Sequence, residues 1–448
     1  AYGSIRYDGS DLFGVDPKYK YLPIYSASVA WNASEEDFIK NIKTISNLRV
    51  RTSYGIQGNI DKNTSPFIIG TYSTGTVLPG GTENTISVSS PPNDKLRWEK
   101  TSTFNAGLDL GLFNNAVQVT FDYYNRSSKD LIGLQALGLE TGFEFTNSNF
   151  AQVKNKGLEL TISTRNINTK QFTWSTDFNI AHNKSKVIRE EARSTQYTPS
   201  RAGYPVNALF VLKTAGLDAN GIPQFIKDGK TVSYEDFYKL YDPYADFLPG
   251  EFTATTLTAA DYRELYTYAG DRDPKYTGGL TNRFRYKNID LAVTAIFNID
   301  QMVTNAPLYN PAMVDRGQNY SRDILNAWTP ENTGSTLPQI IGRETGDGSR
   351  WMAYNWLNDN DPARSYQSLD IFAKKISYMR INSMRLGYTL PSGIAKKIKA
   401  NTLRFSVEGR NLFVLSTGYK GYFDPETYGN IYTQPITRSI SFGLNATF

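Results

Sequence analysis

ITRSISFGLNATF, residues 436–448, decides how this chain is read. Ile436, Arg438, Ile440, Phe442, Leu444, Ala446 and Phe448 fall on one face of an extended strand. Thr437, Ser439, Ser441, Gly443, Asn445 and Thr447 fall on the other. The sequence printed here stops on an aromatic. Chain ends fray unless something holds them, so a bare apolar strand makes a poor end for a soluble domain. It suits the closing strand of an outer-membrane β-barrel, apolar toward lipid and polar toward the lumen. Phe442, Leu444 and Phe448 are therefore the candidate barrel-assembly residues, and the functional question becomes transport rather than catalysis.

The same period of two recurs upstream. Val117, Val119, Phe121 and Tyr123 alternate with Gln118, Thr120, Asp122 and Tyr124, and Leu158, Leu160 and Ile162 with Glu159, Thr161 and Ser163. Phe172, Trp174, Thr176, Phe178 and Ile180 alternate with Thr173, Ser175, Asp177 and Asn179. Leu403, Phe405 and Val407 alternate with Arg404, Ser406, Glu408 and Arg410. This is the signal of half-buried strands. Many run about ten residues, enough to cross a bilayer when tilted. Twelve strands are expected, at 1–7, 22–31, 47–56, 101–112, 115–126, 156–166, 171–182, 276–286, 288–299, 376–390, 402–413 and 436–448. The class is all-β, a transmembrane antiparallel β-barrel.

The connections sort into two kinds. Leu112 to Ala116, Asn166 to Lys170 and Tyr286-Lys287-Asn288 are tight. The segments 57–95, 127–153, 183–275, 300–375 and 414–436 are long. Short and long alternate, as periplasmic turns and external loops do in a membrane barrel. Two short-end connections read as helical: SEEDFIKNI, with Ser34 as N-cap and Asp37 three residues on, and 391–401. An outward first strand and an inward last strand agree with an even count.

Composition sets the remaining bounds. The chain of 448 residues is too long for one ordinary soluble core, whereas a barrel grows by adding strands. Aromatics make up 13%, with 30 Tyr and 24 Phe, which suits girdles and ligand-facing loops. A mean hydropathy of −0.44 fits strands with one wet face. No apolar run approaches the roughly 18 residues of a membrane helix; Leu291 to Phe297 is broken by Thr294. Cysteine is absent, which removes disulfides, thiol nucleophiles and thiolate metal sites. The net charge of +5 is dispersed, and Lys396, Lys397 and Lys399 are too few to argue for nucleic acid. No signal peptide is read, and Ala1 opens in mid-strand, so a fragment or a cut precursor is expected.

Several segments resemble a known family. DGSDLFGVDPKYKYLPIYSASVAWNASEEDF (Phe13, Gly14, Pro23, Trp31, Glu35) and NLRVRTSYGIQGN (Leu48, Arg49, Ser53, Tyr54, Gly55, Gly58, Asn59) do so. So do LRWEKT, FDYYNRSSKDLI and KNKGLELTIS (Asn155, Gly157, Glu159). YTGGLTNRFRYKNIDL, AWTPENTGSTLPQI, YMRINSMRLGYTLP, LRFSVEGRNLF and the terminal GLNATF complete the series. In this order, they resemble SusC/RagA-type TonB-dependent outer-membrane transporters over nearly the whole chain. The resemblance implies a 22-stranded barrel with an N-terminal plug, of which twelve strands here would be the C-terminal part. The first ten strands, the plug and the TonB box would then lie on an N-terminal half of the same barrel. A closed twelve-stranded barrel is the geometric alternative. The resemblance further implies a SusD-like surface lipoprotein as lid, the TonB complex acting through the missing plug portion, outer-membrane lipid around the wall, and an oligosaccharide or peptide as cargo.

Other chemistry is weakly represented. The one histidine, His182, has no nucleophile motif beside it, and a triad needs one; it reads as a solvent-exposed loop-edge residue. Asp271 and Asp273 form a D-x-D, and Asp218 opens a D-x-N-G turn. Calcium loops need more oxygen ligands in register, so turn chemistry competes with Ca2+ at these aspartates and no cofactor is expected. The loop aromatics Tyr309, Trp351, Tyr354 and Trp356 are the candidate substrate contacts, with self-packing of the loop as the competing reading. Trp328 reads as structural. Arg283, Arg285, Arg404 and Glu408 are expected to face the lumen, either lining a hydrated path or holding the plug by ion pairs. The competing function is a secreted or surface all-β glycan-binding or adhesin protein, which leaves the sorting of loops unexplained.

Overall fold

A computed structural model describes residues 1–12, 17–78, 81–193, 196–227, 229–232, 263–305, 309, 311, 314, 317–341, 366–397, 399–417, 424–427, 434 and 436–448. Twelve strands form one antiparallel sheet, numbered here within that sheet. They are β1 (Tyr2–Gly9), β2 (Tyr21–Asn32), β3 (Ile45–Asn59), β4 (Glu99–Leu112), β5 (Val117–Ala136) and β6 (Phe145–Asn168). The remainder are β7 (Phe172–Arg189), β8 (Tyr276–Tyr286), β9 (Ile289–Thr304), β10 (Ala373–Thr389), β11 (Thr402–Thr417) and β12 (Ser439–Thr447). Each pairs with its chain neighbours, giving an uninterrupted up-and-down meander. Among the described residues no ladder joins β1 to β12. The outer edges of β1 and β12 are unpaired among the described residues.

The register assigns the two faces. One rung carries Trp31, Val50, Leu108, Phe121, Leu160, Ile180, Gly278, Phe297, Met379 and Leu415 across ten strands. The adjacent rung carries Ala30, Arg51, Gly107, Asp122, Glu159, Ala181, Thr277, Asn298, Tyr378 and Ser416. The first is the apolar outward face and the second the polar lumenal face, since neighbours on a strand point oppositely. Large apolar side chains on the outward face stay exposed, among them Trp31, Phe104, Leu158 and Phe405. That exposure suits lipid rather than water.

The strands reach well beyond the expected spans. β6 has 24 residues and β5 has 20, so 127–153 is a hairpin extension of the sheet with its tip at residues 137–144. In this extension apolar residues such as Leu131, Ile132 and Phe150 no longer alternate with polar ones, which hides the period of two while the backbone ladder continues. The segment 57–95 contains a hairpin of Ile69–Leu78 with Gly81–Ser90. Within 183–275, Ala208–Leu212 pairs with Tyr266–Asp271, and Thr214–Leu217, Pro223–Lys227 and Lys230–Val232 form a three-stranded sheet.

The tight ends match the expectation. Phe113, Asn114 and Asn115 take positive φ at the β4–β5 turn, and Lys287 does so between β8 and β9. A helix occupies Ser392–Lys397 within 391–401. The N-cap role expected of Ser34 is not realised. Ser34 sits inside a 3-10 turn, Ala33–Glu35. The chain is extended at Glu36, and the short helix Asp37–Lys40 has no side-chain cap. Trp31 Nε1 donates to Glu36 Oε1 at 3.0 Å, which ties the turn to the strand instead.

Candidate functional site

The lumenal wall is built from charges that reach across strands. Arg51 on β3 donates to Asp109 on β4 (2.9 Å) and is paired with Asp122 on β5 (2.8 Å). Thr120 Oγ1 also donates to Asp109, at 3.2 Å. The intervening rung position is Gly107, where a Cβ would lie 2.6 Å from Arg51 Cζ. Arg404 on β11 binds Asp290 on β9 through two bonds of 2.6 and 2.7 Å. It passes over Gly387 of β10, where a Cβ would lie 2.4 Å from the guanidinium. Both bridges thus span three strands over a glycine that leaves room for them.

All four lumenal charges named from sequence lie on this face. Arg404 is taken by Asp290, and Arg283 is paired with Asp177 of β7. Glu408 binds Arg410 at 2.6 Å. Arg285 makes only a long bond to the Lys287 carbonyl, at 3.4 Å. Sequence reasoning missed the partners Arg51, Asp109, Asp122, Asp177 and Asp290. The one local signal was a glycine at mid-strand, which marks a close approach.

Two concavities indent the wall. One of about 460 Å³ is lined by Thr161, Asp177, Asn179, Gly279, Thr281 and Thr294 among others. Its lining mixes hydroxyl and amide groups and the Asp177 carboxylate with apolar Phe178, Leu280, Ile296 and Phe297. The other, about 470 Å³, holds Arg285, Arg385 and Arg404 with Asp290 near the short-turn end, and it favours anionic groups.

A second structural unit stands at the long-loop end. Residues from 183–275 and 300–375 share one apolar core: Leu212, Ile222, Phe225, Leu265, Tyr266, Tyr366, Leu369 and Phe372. Leu212 bridges Leu369, and Thr214 Oγ1 donates to Asp370 at 2.6 Å. Gly221, at φ +73°, packs on Trp328 so closely that a Cβ would lie 2.5 Å from the indole. Gln339 N donates to the Gly221 carbonyl at 2.9 Å. Neither loop builds this core alone. The structural reading of Trp328 fits this packing.

Below it, Arg380 of β10 is only 2% exposed. It binds Asp424 and, at 2.6 Å, Glu426. The segment 424–427, from the β11–β12 connection, is thereby anchored against the wall.

Tyr309 is 6% exposed and its hydroxyl finds no partner among the described residues. Burial pushes that phenol up to about 12 and raises the Tyr366 phenol as well. The burial of Tyr309 fits the competing reading, self-packing of the loop. Trp351, Tyr354 and Trp356 lie outside the described residues. Asp218 Oδ1 accepts the amides of Asn220 (2.8 Å) and Ile222 (2.9 Å). Asp271 accepts the Asp273 amide at 3.0 Å, and Asn207 donates to Asp273 at 2.9 Å. Burial, with Asp273 beside it, raises the Asp271 carboxyl. These carboxylates shape turns, and among the described residues no three His, Cys, Asp or Glu gather at one point. His182 is half-buried on the outward face rather than exposed at a loop edge. Its Nδ1 lies 2.6 Å from the Lys275 carbonyl and its ring 5.1 Å from Tyr276. On β12, Phe442 (81% exposed) and Leu444 (66%) point outward, and Phe448 follows the strand.

Residues 2–211 match the family model described as TonB dependent receptor-like, beta-barrel. TonB-dependent receptor P3 of Formosa agariphila is 28% identical over 99% of this chain and 43% of that protein. TonB-dependent receptor SusC of Bacteroides thetaiotaomicron is 25% identical over 99% of this chain and 42% of that protein. The chain therefore spans less than half the length of these relatives, which are receptors rather than enzymes. A solved structure titled as the RagAB peptide transporter shares the fold with a TM-score of 0.73 at 22% identity, covering 100% of this chain and 45% of that one.

Proposed function

We propose an import role for this chain, which is part of the barrel of a SusC/RagA-type TonB-dependent receptor and lies in the outer membrane. The whole protein takes up an oligomeric nutrient, an oligosaccharide or a peptide, at the cell surface. An N-terminal half of the same barrel completes the wall and carries the plug. The TonB complex acts on that plug portion, and a SusD-like lipoprotein covers the long-loop end. The observation that carries this reading is the shared core of the 183–275 and 300–375 segments, standing over a polar lumenal wall. A co-folded platform of this kind suits a lid better than independent loops would. Trp351, Tyr354 and Trp356 remain the substrate-contact candidates. Arg285, Arg385 and the small hydroxyl side chains near Thr281 line the hydrated path. No catalytic step and no resident cofactor, Ca2+ included, is assigned.

The test is mass spectrometry of what co-purifies with the chain from outer membranes in mild detergent, joined to uptake of labelled oligosaccharides and peptides in cells with and without TonB. Co-purification of a plug-bearing polypeptide and a lipoprotein, with TonB-dependent uptake, is expected. Surface binding of glycan without any TonB-dependent uptake would instead establish the adhesin reading. Heat-modifiable gel migration separates a membrane barrel from a soluble sandwich in the same preparation.

A further inference from the structure

The outer wall of β4 to β7 carries a charge pattern that import through the lumen does not use. Lys156 of β6 faces Lys184 of β7 directly across the ladder, and Lys154 faces Lys186 on the next outward rung. Directly opposed side chains start about 5 Å apart, and successive outward positions on a strand lie about 7 Å apart. Four ammonium groups thus form a two-by-two grid, although like charges placed opposite one another are destabilising. All four are exposed, and none has a hydrogen-bond or ion-pair partner among the described residues. Lys129 of β5 faces Lys100 of β4 and continues the patch sideways; only Lys100 approaches a carboxylate, Asp130 at 3.9 Å.

The height of the grid identifies its surroundings. On the same outward face, one rung nearer the short turns, stand Tyr123, Leu158 and His182. His182 contacts Tyr276, and Phe121, Leu160 and Ile180 follow below. The lysines therefore begin where the apolar band ends, on the long-loop side of an aromatic belt. That is the level of the headgroups of the outer leaflet.

We propose that this lysine grid docks the phosphorylated headgroups of net negative charge in the outer leaflet. Phosphate oxygens accept strong charge-assisted bonds from ammonium donors, and the grid supplies several at one depth. The side chains point away from the lumen, so an anionic solute in transit does not meet them. The proposal rests on the membrane placement of the wall and is independent of what the receptor imports.

The test uses the complete receptor, purified in mild detergent and stripped of lipid by detergent exchange. Native mass spectrometry then reads retention of added phosphatidylglycerol, phosphatidylcholine or inorganic pyrophosphate. Each lysine near an anionic surface is worth about fivefold in binding. The variant K154Q/K156Q/K184Q/K186Q should therefore lose phosphatidylglycerol retention by well over tenfold. The variant K170Q/K396Q, at the short-turn end, should match the wild type. The doubles K154Q/K184Q and K156Q/K186Q read the same loss if the quadruple variant folds poorly. Unchanged phosphatidylglycerol retention in the grid variants overturns the proposal. So does equal retention of phosphatidylcholine, or binding of pyrophosphate without any retained lipid.

Discussion

Replacement of Arg380 by Met should free the segment at 424–427 from the wall. Arg380 is almost fully enclosed, its Nε donating to Glu426 at 2.6 Å and its Nη2 paired with Asp424. The Asp424 side chain is 9% exposed and that of Glu426 28%. Methionine fills part of the volume but leaves two carboxylates with no cation between them. Breaking one side of a buried pair costs about 3–5 kcal/mol, because the orphaned charge stays desolvated. The partial exposure of Glu426 puts the cost here near the lower bound, about 3 kcal/mol. That corresponds to roughly a hundredfold gain in the open state of the segment. Hydrogen exchange at 424–427 in the purified receptor reads this opening directly, and limited proteolysis of 418–438 reads it a second way. The triple variant R380M/D424N/E426Q should recover much of the protection, since an all-neutral site is tolerated where a half-pair is not. Exchange unchanged in R380M would refute the reasoning, and so would a triple variant as open as the single.

Other outcomes follow from the same geometry. Gly107→Val places side-chain carbon where Arg51 passes to Asp122; the barrel's heat-modifiable transition should fall by several degrees, whereas Gly443→Val, with Ser406 Oγ as its nearest neighbour, should change it less. Gly221→Ala combines a strained left-handed backbone with contact against Trp328, so proteolysis should separate the two external segments faster than in the wild type. Tyr309 should titrate late: its phenol is held near 12 against about 10 when unfolded. Its stabilising contribution is complete below pH 10 and is lost as pH rises from 10 to 12. Alkaline difference absorbance at the tyrosine band, wild type against Tyr309→Phe, checks this, and a normal titration midpoint for that residue would contradict it. Phe442→Arg, on the outward face of β12, should lower barrel stability by about 2–4 kcal/mol if it lies at the bilayer centre, measured by urea unfolding in vesicles of the complete receptor.

The strand count, the order of strands and the sorting of short and long connections were all legible in sequence. Alternation along Val117–Tyr124 or Leu403–Arg410 is a local consequence of one wet and one greasy face, and local patterns survive in one dimension. The same rule failed above the bilayer. Ser127–Ala136 and Phe145–Val153 mix apolar residues such as Leu131, Ile132, Phe145 and Phe150 with polar ones on both faces, so the ladder that extends β5 and β6 left no period to read. The lumenal direction of Arg283, Arg285, Arg404 and Glu408 followed from parity. Their partners did not, because Arg404 and Asp290 are separated by 114 positions and a whole intervening strand.

An antiparallel meander with an apolar outer face and a polar inner one is written into the residue order, since side-chain parity is set by the backbone. Which charges neutralise one another over Gly107 and Gly387 is fixed only once the strands have paired. Packing two distant loops into one core and aligning Lys154, Lys156, Lys184 and Lys186 into a grid are likewise consequences of the folded chain. Each of these depends on register between segments far apart in the chain. Register is fixed by the summed pairing of whole strands, not by any residue's immediate neighbours.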